Sequence, residues 1–197
     1  MNAAIRKIRQ AIAADASNRA FAELGYEPLF VADERARLVV IGHAPGLQAQ
    51  EKQLAWGDLS GERLIDWLGI TEATFRNPAE VALIPMDFYY QGKGASGDKP
   101  PRKAFADTWH PQLLECMPEV ELVVLTGQYA VKHYLGGDRQ KNLTETVRHF
   151  SDYLPHYFPL VHPSPLNNRW LAKNGWFAAE VLPALKARVA EVLSQHE

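Results

Sequence analysis

Cysteine is almost absent: Cys116 stands alone among 197 residues. A single thiol closes no internal disulfide, and it cannot supply the ~4 thiolates that an iron–sulfur cluster usually takes. Its surroundings, Leu113-Leu114-Glu115-Cys116-Met117, read as the buried end of a helix, where cysteine serves as a small apolar side chain. Long apolar runs are missing too, and none approaches the ~18 residues of a membrane span. Residues 1–20 mix Arg6, Lys7, Arg9 and Asp15 among alanines. They hold neither the apolar centre nor the small-residue cleavage site of a secretory leader. The expected compartment is therefore cytoplasmic, with no membrane partner. Charge of one sign is also lacking: lysine and arginine total 21 against 23 acidic residues, a formal net charge of −2. That balance argues against a broadly basic nucleic-acid-binding surface. It leaves room for two small patches, Lys99 with Arg102 and Lys103, and Arg169 with Lys173; each reads equally well as solvated charge. Repeats, low-complexity tracts and long linkers are absent, so residues 1–197 are expected to form one domain. Its 47% hydrophobic content is enough for a substantial core.

What is present is a series of short apolar runs, at 38–41, 81–86, 121–126 and 157–161. They barely alternate, as strands covered on both faces do. Helical spacing separates them. Ile5, Ile8, Ile12 and Phe21 predict a helix over 3–24. Ser60 is the expected cap of a helix through Leu64, Ile65, Trp67 and Leu68, with Gly69 as its stop. A third helix spans 102–117, with Pro111 in or interrupting its start. A fourth covers 128–135 before Gly136-Gly137, and the last, 176–193, is kinked or divided at Pro183. The alternation implies an α/β protein: three-layer α/β/α with a central, mainly parallel four-stranded sheet. One connection stands apart. Residues 87–102 start with Phe88, Tyr89 and Tyr90 and continue through a glycine-rich, charged stretch without regular pattern, which marks a functional loop more than a connector.

Parallel strands deliver their C-terminal ends to one edge, where open α/β sheets bind ligands. Two motifs stand at such ends. Gly42-His43-Ala44-Pro45-Gly46 follows the first strand, and His162-Pro163-Ser164-Pro165-Leu166-Asn167 follows the last. Each offers a histidine and a tight turn that brings backbone close to a ligand. The pair resembles the uracil-DNA glycosylase superfamily over residues 36–190, with the N-terminal helix, about 1–25, outside the clearest match. The first motif is similar to that of the iron–sulfur branch, with His43 where that branch has an acidic residue. The second nearly repeats the His-Pro-Ser-Pro-Leu-Ser segment of the classical branch.

The resemblance implies a uracil-DNA glycosylase-like fold and hydrolysis of the N-glycosidic bond of uracil or another damaged base in DNA repair. DNA would be the partner and no cofactor would be needed; the missing cluster cysteines make this a cluster-free relative. By the correspondence, His162 steadies the departing base. The water falls to His43, whose imidazole can do a carboxylate's work of orienting or deprotonating it, or to Asp58. Gly42, Ala44, Trp56, Asp87 and Phe88 would surround the base, and Trp56 would replace the stacking that a flipped base has lost. Asp87, or Pro85 in a shifted register, stands where the family carries an asparagine. Pro45, Gly46, Ser164, Leu166, Asn167 and Arg169 would meet DNA, with Leu166 as the wedge. The residues also admit plainer roles: His43 bonded to its own turn, Trp56 packed under its loop, Asp58 capping a helix and Asp87 a surface or capping group. Two other functions stay open, a catalytically inactive DNA- or base-binding protein on this fold and a hydrolase of a small nucleoside-like ligand.

Overall fold

The computed structural model describes residues 2–95 and 97–194. Positions 1 and 195–197 of the expected domain, and Ser96 of the long connection, lie outside the described residues. Four strands, β1 (Leu38–Gly42), β2 (Val81–Pro85), β3 (Leu122–Thr126) and β4 (Tyr157–Leu160), form one sheet in the order β2-β1-β3-β4. Every neighbouring pair is parallel. Gly42 stands opposite Pro85, Ile41 opposite Leu125, and Thr126 opposite Leu160. The strands therefore end nearly level, at one edge.

The continuous apolar runs are explained by the two-residue period of a strand. Val39 and Ile41 point to one core with Ala82, Ile84, Val123 and Leu125. Leu38 and Val40 point to the other with Val81, Leu83, Leu122 and Val124. In chain order the helices are α1 (Ala3–Ala14), α2 (Arg19–Glu23), α3 (Leu47–Lys52), α4 (Leu59–Leu68), α5 (Glu72–Arg76), α6 (Phe105–Glu115), α7 (Gln128–Leu135), α8 (Leu143–Arg148), α9 (Asn168–Lys173) and α10 (Leu182–Ser194). The first core is closed by α1, α6 and α7 through Ile5, Ile12, Trp109, Leu113, Val131 and Leu135. The second is closed by α4, α5, α8 and α10 through Leu64, Trp67, Phe75, Val147, Leu185 and Val189. The result is the three-layer α/β/α arrangement with a parallel four-stranded sheet. Among the described residues no helix is long and apolar enough to cross a membrane.

Local chemistry moves several helix boundaries from their expected places. The helix expected over 3–24 is broken after α1, because Asp15 Oδ1 accepts the Ser17 backbone N–H at 2.8 Å and its hydroxyl at 2.6 Å. Such side-chain bonds compete with the helical ladder. Asp58, not Ser60, caps α4 by accepting the Gly61 N–H at 3.1 Å; Ser60 lies within the first turn. Pro111 sits inside α6 without interrupting its start. Pro183 is the second residue of α10, directly after a π-helical turn at Phe177–Val181.

Candidate active site

At the level strand ends lies a cavity of about 200 Å³. Gly42, His43, Ala44, Pro45 and Gly46 line it from the β1 loop, and Pro85 from the end of β2. Trp56 and Asp58 enter from the turn between α3 and α4, and His162 and Ser164 from the loop after β4. Residues more than a hundred positions apart thus share one space.

The β4 loop is held from several sides. Asn167 Nδ2 donates to the His162 carbonyl at 2.7 Å, and Arg63 Nη1 donates to the Ser164 carbonyl at 3.3 Å. Ser164 Oγ accepts the Leu166 N–H at 3.2 Å, capping the single helical turn Pro165–Asn167. The Ser164 backbone N–H donates to His162 Nδ1 at 3.2 Å. That bond settles the tautomer. A neutral imidazole that accepts at one nitrogen carries its proton on the other, so the His162 proton sits on Nε2. No described residue hydrogen-bonds to that Nε2. Burial, with a smaller push from nearby His43, lowers the His162 pKa to about 4 against a weaker upward pull from Asp58. The ring is therefore neutral at pH 7 and presents an uncharged donor.

Trp56 braces this imidazole. Its ring stacks on His162 with centroids 5.4 Å apart and planes inclined by 25°. It also lies against the end of β1: a Cβ on Gly42 would fall 2.7 Å from Trp56 Cζ2. The Trp56 backbone is left-handed, with φ of 55°, and two bonds hold it there. Arg76 donates to the Ala55 carbonyl and, at 3.2 Å, to the Trp56 carbonyl. Gly61 makes room for the turn, since a Cβ there would lie 1.9 Å from the Trp56 carbonyl oxygen. Asp58 uses one carboxylate oxygen to cap α4 and is among the residues that line the cavity.

His43 lines the same cavity. Its ring stacks on Tyr129 of α7 at 4.9 Å and 18°. Its Nε2 is buried without a hydrogen-bond partner among the described residues. Desolvation lowers its pKa, opposed by the carboxylates of Asp98 and then Asp87.

Three expected site residues are placed elsewhere or otherwise engaged. Asp87 is fully buried and outside the cavity lining. Arg102 grips both of its oxygens, from Nε at 2.7 Å and Nη2 at 2.8 Å. The Tyr89 and Arg102 backbone N–H groups complete its shell, so the carboxylate has no capacity left for a base. This also removes Arg102 from the expected basic patch. Phe88 is a core residue, packed against Phe30, Phe105 and His110. Asn167 spends its amide on the His162 carbonyl. Leu166, by contrast, is 87% exposed at the tip of its turn, and Arg169 is exposed on α9. Pro85, not Asp87, carries the β2 edge into the cavity. Its carbonyl accepts the Nε2–H of His110 at 2.9 Å, and the Tyr134 hydroxyl donates to His110 Nδ1 at 2.7 Å.

Sequence reasoning missed two neighbours of His43. Asp98 comes from the long loop to the cavity wall, and Tyr129 comes from the first turn of α7. The length of the 87–102 loop was the only signal for Asp98; nothing in the local pattern marks Tyr129.

A parallel sheet whose strand ends enclose two histidines, a tryptophan and two carboxylates defines an α/β protein with a candidate site at its strand edge. A family model for the uracil DNA glycosylase superfamily matches residues 29–186, and the chain belongs to that superfamily. Among solved structures it is similar to the solution NMR structure of a "putative Uracil DNA glycosylase" from Methanosarcina acetivorans. The two share 14% identity, over 81% of this chain and 94% of that one, with a TM-score of 0.48. The family assignment rests on the match over 29–186.

Proposed function

We propose that this protein hydrolyses the N-glycosidic bond of uracil or another damaged base in DNA. The observation that carries the reading is the bond from the Ser164 N–H to His162 Nδ1. It leaves a neutral Nε2–H preorganised at the cavity wall. As the C1′–N bond breaks, its electron pair stays with the base, and negative charge develops on a base carbonyl. A fixed donor in a water-poor site favours that charge without reorganising. Water adds its oxygen to C1′ and gives up a proton to His43 or Asp58. That proton later neutralises the departed base, and an abasic sugar remains.

A base inside a duplex cannot reach a cavity at the bottom of a sheet edge, so the nucleotide must leave the stack. Trp56 and the 42–46 loop would flank the extruded base. Leu166 would fill the gap left behind, and Ser164 and Arg169 would lie along the strand. The decisive assay uses labelled oligonucleotides carrying uracil, hypoxanthine, xanthine or unmodified bases, single- and double-stranded, followed by alkali. Cleavage at one base, lost in His162→Ala, is the expected result.

One observation favours a second reading, a binding protein without turnover. The β2 edge offers a proline, which has no N–H, and the proline's carbonyl already serves His110. Retention of a uracil-containing or abasic duplex with no cleavage of any substrate would select that reading.

A further inference from the structure

We infer that the Ser60 hydroxyl meets the edge of the extruded base, a contact that rests on the glycosylase reading above and adds a base-holding residue to it. Ser60 gives the polar contact that neither Asp87 nor Pro85 of the β2 end provides.

Ser60 is the second residue of α4, and the capping role expected of it belongs to Asp58. The Asp58 carbonyl accepts the Gly61 and Glu62 N–H groups at 3.0 and 3.2 Å, and its Oδ1 accepts the Gly61 N–H at 3.1 Å. Ser60 is free of that duty, and no described residue hydrogen-bonds to its hydroxyl. A helical serine ordinarily turns its hydroxyl to nearby backbone, and buried polar groups are nearly always bonded. Ser60 is only 8% exposed and follows neither habit. Its oxygen is nevertheless not among the buried, unpartnered atoms closed off from solvent. Ser60 lines the cavity, so the opening of so covered a residue is the cavity itself. Its place beside Trp56 is fixed by Gly61, where a Cβ would lie 1.9 Å from the Trp56 carbonyl oxygen. Ser60 thus sits one residue from the point where α4 meets the Trp56 turn.

Other polar groups at this edge are committed. Ser164 Oγ accepts the Leu166 N–H at 3.2 Å, and Asp98 Oδ1 accepts from Lys93 Nζ at 2.7 Å. Pro85 has no N–H, and its carbonyl takes the His110 Nε2–H at 2.9 Å. Both Asp87 oxygens are filled. Ser60 keeps a whole hydroxyl, one donor and two acceptor lone pairs on a bond that turns to suit its partner. It can give to a ring carbonyl or take from a ring N–H, and uracil, hypoxanthine and xanthine carry both. An amine would satisfy it as well. The hydroxyl therefore holds a base edge without choosing among bases. The choice falls to the fixed Nε2–H of His162, which serves an acceptor only.

The test compares Ser60→Ala with the parent protein on two probes. One is the free base (uracil, hypoxanthine or xanthine), titrated by isothermal calorimetry. The other is a duplex with a tetrahydrofuran abasic site, followed by fluorescence anisotropy, which carries the backbone and no base. Ser60→Ala removes no side-chain hydrogen bond of the folded chain and places a better helix former in α4. Its urea midpoint is expected to equal or exceed the parent's. The free-base Kd is expected to rise roughly 2- to 12-fold, the worth of one hydrogen bond, with the abasic-duplex Kd unchanged. Excision in the oligonucleotide assay is expected to fall by a similar factor. Unchanged free-base binding in Ser60→Ala overturns the inference, as does a parent protein that binds none of the three bases. A parallel loss of abasic-duplex affinity overturns it too, since the hydroxyl would then meet the backbone. If no oligonucleotide is cleaved, the glycosylase reading fails by itself, while the free-base titration still decides the role of Ser60.

Discussion

Two imidazoles in this fold, His110 and His162, are both pushed down to about 4, and burial is the first cause in each. They differ in what their nitrogens touch. His110, in α6, donates from Nε2 to the Pro85 carbonyl and accepts at Nδ1 from Tyr134. Both nitrogens are complete and the ring is 1% exposed. His162 is complete at Nδ1 alone, through Ser164, and lines the cavity. A depressed pKa therefore marks burial in both and a site in neither. The unfilled nitrogen at a cavity wall makes the distinction. The two rings also divide the work: His110 fixes the backbone of Pro85, which walls the cavity, while His162 offers the donor.

The comparison breaks hardest if both are removed separately. His162→Ala should lower excision roughly 10²- to 10³-fold, the usual loss of one oxyanion donor, with little change in the urea midpoint of unfolding. His110→Ala should do the reverse. It strands a buried carbonyl and hydroxyl and opens space, at about 2–4 kcal/mol of stability, measured by the same urea titration. An excision defect in His110→Ala at full folding, or a large stability loss in His162→Ala, would erase the division.

Acid sharpens it next. Both folded pKa values lie near 4 and an exposed histidine titrates near ~6.5, so the unfolded chain binds more protons between these values. The stability from keeping the rings neutral is fully present above about pH 6.5. It falls as pH drops towards the folded value near 4. Urea unfolding at pH 7 and pH 5 should show the decline, and the slope should flatten in His110→Ala. Smallest is Tyr134→Phe, which leaves His110 Nδ1 without its donor and should lower stability by about 1 kcal/mol, again by urea unfolding.

The sheet was legible because strands buried on both faces must be apolar throughout, and 38–41, 81–86, 121–126 and 157–161 are. The short helices α3, α5, α8 and α9 were not, since five or six residues carry too little periodicity to stand out. Within the site, Gly42, His43 and His162 could be placed at strand ends from those runs. Asp87 was misread because its fate depends on Arg102, fifteen residues away and beyond the reach of any local pattern. Phe88 was misread for a related reason: three residues past the end of β2, its ring packs against Phe30, Phe105 and His110, partners that lie far away in sequence. Asp98 escaped because a patternless loop shows its length and not its direction.

The grip of Arg102 on Asp87 has a further consequence for the long loop. Arg102 also donates to the Ser17 carbonyl and to Asn18 Oδ1, so the far end of the loop is tied to the N-terminal helices. The near end is tied by the Tyr90 N–H to Gln50 Oε1 at 2.9 Å and by the Phe88 carbonyl to the Leu29 N–H. Lys93 stands exposed between these moorings. A tryptic nick after Lys93 would sever the chain yet leave both stubs moored, giving two fragments that travel as one particle. Such a cut form would separate the wall contributed by the loop from the body of the protein without dismantling either core.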